Sequence, residues 1–213
     1  MSIFSTFLGL CWLLCALVGP ALGLNTPHLY QWKFSDETIP TNLPTCVTFG
    51  IIVESANITT NATIGVPPYY MISLPIGGTP QIQLIGSDQN NLMWTVAQPV
   101  GSQMLLSVVD SQQNPGGIPG REFTVIAGQT TQCVTTPIST PAFTVSANVT
   151  TDLETCAPWG LTVVGGTPPF TVTLAQTNVP IVTNVSMDFG TDRFTFINRA
   201  HPTGTLIAAV SDL

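Results

Sequence analysis

Apolar residues along this chain recur at every second position in short runs. From Leu29 to Phe34 the sequence LYQWKF places Tyr30, Trp32 and Phe34 on one face and Gln31 and Lys33 on the other, the two-residue period of a strand with one buried side. Further alternating or apolar runs occupy Val47 to Val53, Tyr70 to Leu74, Gln81 to Ile85, Leu92 to Val96, Met104 to Val109 and Phe123 to Ile126. Each is bounded by Gly, Pro, Asn or Asp, the residues that set turns. Nothing after the first two dozen residues reads as a long amphipathic helix. Strand runs at this spacing, with no helices between them, predict an all-β chain built as a sandwich and not as a parallel sheet with crossover helices.

The runs fall into two copies of one pattern. The first reads TCVTFGI from Thr45, GVPPYYMISL from Gly65, LMWTV from Leu92 and LLSVVD ending at Asp110, and closes with FTVIAG from Phe123 and then Cys133. The second reads TCAPWGL from Thr155, GTPPFTVTL from Gly166, RFTF from Arg193 and LIAAVSDL from Leu206. A matching FTV strand and closing cysteine do not appear before Leu213. The expectation is therefore two immunoglobulin-like β-sandwich modules, the second incomplete. The first covers residues 24–133 with its N-terminal strand, 134–154 form a linker, and 155–213 form the second module. A sandwich short of its last strand leaves an unpaired edge and an uncovered apolar face, so the chain is expected to continue past Leu213. The LYQWKF strand is assigned to the first module and not to that gap.

The N-terminus reads as an address. An apolar stretch from Phe7 to Val18 is followed by Gly19-Pro20 and then Ala21-Leu22-Gly23, which fits a secretory signal peptide over residues 1–23 cut after Gly23. Gly-Pro breaks the run short of the roughly 20 residues a membrane span requires. Removing that leader also removes Cys11 and Cys15 and leaves Cys46, Cys133 and Cys156. In an oxidising compartment Cys46 and Cys133, which bracket the first module, form the natural pair. Closing so long a loop stabilises by on the order of 4 kcal/mol in the chain-entropy picture. Cys156 occupies the position of Cys46 and is left as an unpaired thiol, an intermolecular disulfide partner, or half of a pair completed downstream of Leu213. Four glycosylation sequons, at Asn57, Asn61, Asn148 and Asn184, agree with secretion. Asn57 and Asn61 fall in an insertion that the second copy lacks, and Asn148 falls between the copies, where a bulky glycan displaces no core.

Charge narrows the function classes. With 4 Lys+Arg against 11 Asp+Glu and only 7% charged residues, no basic face exists to neutralise phosphates, which excludes nucleic acid as a partner. Chemistry is equally sparse. The histidines are His28 and His201, in different modules, and past the leader no G-x-S-x-G, H-E-x-x-H or closely spaced cysteine pair is present. The reading assigns no catalytic residue, metal or cofactor. One enzyme alternative, a copper site of the kind used by secreted polysaccharide monooxygenases, needs an N-terminal histidine. His28 would supply it only after cleavage behind Pro27, which signal processing disfavours. Trp94 could stack on a ligand but belongs in a sandwich core. Tyr69 and Tyr70 could offer a sugar platform, yet the second copy has Phe170-Thr171 there, so strand initiation after a Pro-Pro turn accounts for both. Asp110 and Asp212 end equivalent strands and fit turn capping.

The segments YQWKFSDETIPTNLPTC, GVPPYYMISLPIGGTPQIQLIGSDQNNLMWTV, PVGSQMLLSVVDSQQNPGG and FTVIAG before a cysteine resemble a group of secreted or surface proteins of basidiomycete fungi. The resemblance covers Tyr30 to Cys133 best. It implies extracellular β-sandwich repeats at a cell surface or wall, in relatives that often continue into a Ser/Thr-rich region and a membrane anchor, and it transfers no catalytic residue. Together these readings predict a secreted fungal surface glycoprotein acting as a structural, adhesive or display module. Its expected partners are cell-wall polysaccharide or another surface protein, with a membrane involved only if an anchor follows Leu213. The alternatives are the ectodomain of a membrane-anchored sensor and a polysaccharide-active secreted enzyme.

Overall fold

The computed structural model describes residues 30–56, 63–134, 142–200 and 203–212. The leader cut after Gly23, the sequons at Asn57 and Asn61, and both histidines lie outside the described residues.

In the first module β1 (Tyr30–Phe34), β3 (Thr48–Ser55) and β6 (Leu92–Thr95) form a three-stranded antiparallel sheet in the order β1-β3-β6. A five-stranded sheet faces it, built from β2 (Asn42–Pro44), β4 (Tyr69–Pro75), β5 (Gln81–Gly86), β7 (Gln103–Val109) and β8 (Phe123–Ile126) in the order β2-β8-β7-β4-β5. The chain crosses from one sheet to the other at every step from β1 to β4, and again between β5 and β6 and between β6 and β7, the connectivity of an immunoglobulin-like sandwich. All pairings are antiparallel except β2 with β8.

The alternation in LYQWKF does what its period predicts. Tyr30, Trp32 and Phe34 point inward and are buried while Gln31 is exposed, and β1 pairs with β3 from Tyr30 opposite Ser55 to Phe34 opposite Ile51. Phe34 sits at the centre of an aromatic cluster, its ring 5.6 Å from those of Trp32 and Phe49, 5.7 Å from Phe123 and 6.4 Å from Trp94. Such edge-on contacts add to the apolar burial of each ring. Trp94, only 2% exposed, is core, and Tyr69 is fully buried while Tyr70 is half-buried.

The second module repeats this plan with fewer strands. β9 (Phe143–Ala147), β10 (Pro158–Gly165) and β13 (Arg193–Ile197) form one sheet in the order β13-β10-β9. β11 (Thr171–Gln176), β12 (Thr183–Ser186) and β14 (Leu206–Ser211) form the other in the order β12-β11-β14. These six strands correspond in turn to β1, β3, β6, β4, β5 and β7. Among the described residues β14 has a neighbour on one side only, where β7 also carries β8 on the other.

The position of β9 corrects the expected domain boundary. Phe143 to Ala147 pair with β10, Leu161 opposite Ala147 and Gly165 opposite Phe143, so the stretch 134–154 is not wholly a linker and the second module begins no later than Phe143. β2 and β12 were also missed. The NLP triplet of β2 is too short to show a period, and the TNVS of β12 lies at a sheet edge with both faces largely in water, so hydrophobicity does not mark it.

Candidate functional site

A small constellation occurs in both modules. In the first, Gly65 takes φ +88°, and a Cβ there would lie 3.0 Å from the Tyr30 ring and 3.2 Å from the Asp110 side chain. In the second, Gly166 takes φ +77°, and a Cβ would lie 3.0 Å from the Phe170 ring and 3.1 Å from both the Asp212 carboxylate and Phe143. Only glycine fits a positive φ with side chains this near. The next residue's N–H donates to the aspartate in each copy, Val66 to Asp110 Oδ2 at 2.9 Å and Thr167 to Asp212 Oδ2 at 3.1 Å. A cis Pro-Pro bond and an aromatic then follow in each, Pro67-Pro68-Tyr69 and Pro168-Pro169-Phe170. The aromatic meets the one that opens or lies near the start of the module's first strand, Tyr69 with Tyr30 at 6.2 Å between centroids and Phe170 with Phe143 at 5.9 Å.

Asp110 holds this junction together and has no acceptor capacity to spare. The residue is 2% exposed, and its carboxylate accepts hydrogen bonds from Val66 N, from Gln112 N at 2.9 Å, and from Asn114 N at 2.8 Å and Nδ2 at 3.0 Å. A carboxylate saturated by fixed donors orders a turn and is not placed to take a proton from a substrate. Tyr30 beside it donates to the carbonyls of Val108 at 3.2 Å and Asn114 at 3.0 Å. Burial, and secondarily the Asp110 charge and Tyr69, push the Tyr30 hydroxyl well above a tyrosine's usual range. Tyr69, which donates to Ile64 O at 3.0 Å, is raised by burial and then by Asp110.

The cysteines occupy matching backbone positions. Cys46 and Cys156 both adopt left-handed conformations, φ 59° and 65°. Their N–H groups donate to equivalent strand-end carbonyls, Val96 and Asn198, each at 2.8 Å. Cys46 and Cys133 form a disulfide with Cα atoms 5.5 Å apart, closing a separation of 87 residues. Cys156 is also disulfide-bonded. That removes the unpaired thiol from the alternatives expected from the sequence for Cys156.

The two sandwiches meet through an apolar junction. Leu74 and Leu105 on the outer face of the first module's larger sheet pack with Ile118, Ala175 and Ile207. Half-buried Ile72, Val179, Val182 and Ala209 surround them. Hydrogen bonds tie the rim, from Ile118 N to Val179 O at 2.9 Å, from Asn178 N to Pro119 O at 3.2 Å, and from Thr205 Oγ1 to the Glu122 carboxylate. The loop from Asp110 to Glu122, which reads as turn-forming and polar, carries Ile118 into this contact. Its lone apolar residue gave no periodic signal.

Two sequons are on the described surface. Asn148 is exposed, but its side-chain amide bridges strand ends, accepting from Gly160 N at 2.8 Å and donating to Pro158 O at 3.3 Å. Asn184 is exposed on edge strand β12, where its Oδ1 accepts from Thr173 Oγ1 at 2.7 Å. Of the basic residues, Lys33 is ion-paired to Glu37 at 3.1 Å and Glu54 at 3.5 Å, and these hydrogen bonds and charges raise its pKa. Arg121 lies over the Phe123 ring at 5.1 Å. Among the described residues no group of three or more His, Cys, Asp or Glu could hold a metal ion, and no helix is long and apolar enough to cross a membrane.

No protein-family model matches the chain, and no curated protein matches it. Among solved structures it is similar to a segment of two fibronectin type III domains from chicken tenascin, with a TM-score of 0.30 and 10% identity over 87% of this chain and 99% of that one. The fold assignment rests on the strand order and registers above and not on that likeness.

Proposed function

We propose that this chain is a secreted fungal surface glycoprotein that works as a structural and adhesive module, making contacts by surface and not by chemistry. The observation that carries the reading is the junction. Two weakly charged sandwiches are fixed against each other by a buried apolar cluster and a hydrogen-bonded rim, which suits a spacer that presents its surfaces at a set angle. The buried carboxylate that a catalytic reading would seize on, Asp110, is consumed by the turn it organises. Leader, sequons and a long-loop disulfide are coherent with an extracellular site of action.

The test is retention. Purified protein is incubated with insoluble wall glucan, chitin and intact fungal cells, and the bound fraction is measured after washing. Retention on one of these supports the adhesive reading. Absence of retention on all three, or release of soluble sugar from the polysaccharides, overturns it.

A further inference from the structure

We propose that one end of the second module is a binding site for neutral polysaccharide, in which the Phe189 ring lies against a sugar face and Thr191 and Asp192 bond to sugar hydroxyls. This rests on the adhesive reading above, and it names the partner and the surface for it. A cavity of about 310 Å³ opens between the end of β10 and the loop from β12 to β13, with Val164, Pro168, Gly190, Thr191 and Asp192 among the residues that line it. That volume stands at the small end of ligand sites, roughly 300–1,000 Å³.

The loop presents an aromatic ring that the fold does not use. A turn closed by Thr191 N and Oγ1, which donate to Asp188 O at 3.1 and 2.7 Å, carries Phe189 at its tip, 81% exposed and immediately before the lining residues Gly190 to Asp192. The matching turn of the first module, closed by Asn91 N donating to Asp88 O at 2.9 Å, has Gln89 and Asn90 at its tip. The turn thus forms without an aromatic, and a phenylalanine left in water forgoes the burial that ordinarily accounts for one. Val164, 64% exposed, adds a second apolar surface where the first module has Glu54. Chain length differs at this end too. Nine residues separate Ser55 from Gly65, whereas Gly165 runs directly into Gly166. The site therefore belongs to the second module and not to the repeat.

The lining selects the ligand. Its one ionisable side chain is Asp192, so an anionic polymer meets like charge there, and the net charge of −7 adds to the repulsion. A basic peptide would find a single carboxylate and no second acid in the lining. A purely apolar ligand would strip water from Asp192 and Thr191 and give nothing back. A pyranose ring suits both surfaces. Its weakly positive C–H groups meet the negative face of an aromatic ring, while its hydroxyls donate to the Asp192 carboxylate and to Thr191 Oγ1, whose own proton is committed to Asp188 O. So small a contact gives a Kd only on the order of 1 mM.

Affinity electrophoresis of the purified chain through gels cast with soluble glucan or glycol chitin reads binding this weak, alongside retention on intact fungal cells. Retardation by at least one polymer is expected. Phe189→Ala should weaken it at least about fivefold and Asp192→Ala about threefold, with unchanged Tm because both residues are exposed. Phe189→Trp should preserve it, and Gln89→Ala at the matching turn should leave it unchanged. Retardation undiminished in Phe189→Ala, or lost equally in Gln89→Ala, overturns the site while the adhesive reading stands. Retention on cells that depends on Phe189, with no retardation by either polymer, assigns the loop to a protein partner and overturns the proposal. Neither retardation nor retention overturns both.

Discussion

The two sandwiches share strand order, a left-handed cysteine and the Gly-x-Pro-Pro-aromatic constellation, yet their cores are covered to different degrees. In the first, β8 lies against β7 and sends Phe123 and Val125 inward, both essentially fully buried, over Phe34 and Trp94. In the second, β14 lacks that neighbour among the described residues, and Phe194 and Phe196, at the positions of the buried Leu92 and Trp94, stay half-buried, while Trp159 is half-buried like its counterpart Phe49. The same inward-facing pattern therefore yields different burial depending on one strand. A sandwich is stabilised by the closure of its two faces and not by each strand's alternation taken singly.

Breaking the Cys46–Cys133 bond should show the contrast most strongly. Replacing both cysteines by serine is expected to lower stability by about 4 kcal/mol through the freed 87-residue separation, with the loss confined to the first module. Urea unfolding followed by tryptophan fluorescence measures it, and a loss shared equally by both modules would show that the junction couples them into one folding unit. Truncating the equivalent core aromatics comes next. Trp94→Ala should cost about 3–4 kcal/mol and Phe196→Ala about 1–2 kcal/mol, because the second is already partly solvated. Equal losses in chemical denaturation would erase the distinction drawn here.

The aspartates give a smaller and more local difference. Asp110→Ala leaves several buried donors without partners and should cost about 2–3 kcal/mol, whereas Asp212→Ala removes one exposed acceptor and should cost less than about 1 kcal/mol. Thermal denaturation of the two variants separates these values. Alkaline pH gives the gentlest probe. Tyr30 and Tyr69 have folded pKa values raised above the ordinary value of about 10, so the folded state holds protons that the unfolded chain releases. Their contribution is fully present below about pH 10 and is lost as pH rises toward their folded values. The second module has Phe143 and Phe170 at these places and lacks this titration. Stability measured from pH 9 to 11.5 should fall for the first module, and Tyr30→Phe should flatten the fall. A slope unchanged in that variant would remove Tyr30 as its source.

Much of this fold was legible because burial in a sandwich follows a two-residue period. Tyr30, Trp32 and Phe34 announced β1, and the paired motifs announced the repeat. Where one face of a strand was not clearly buried, the signal failed. FTVSA at Phe143–Ala147 is half-exposed along its length and was absorbed into a linker, although its phenylalanine occupies the place Tyr30 holds against Asp110. The candidate junction was invisible for a related reason, since Leu74, Leu105 and Ile207 read simply as members of apolar strands until the second module was placed over them.

By itself the sequence determined the all-β class, the duplication, the first disulfide and the core identity of Trp94, because each depends on local period, spacing or composition. Tertiary structure decided the rest. It set which face of each sheet the neighbouring module covers, made Asp110 a saturated turn anchor instead of a free carboxylate, moved the domain boundary to β9, and left Phe189 in water. Those outcomes depend on contacts between residues dozens of positions apart, and a local pattern carries no record of which distant surface will meet it.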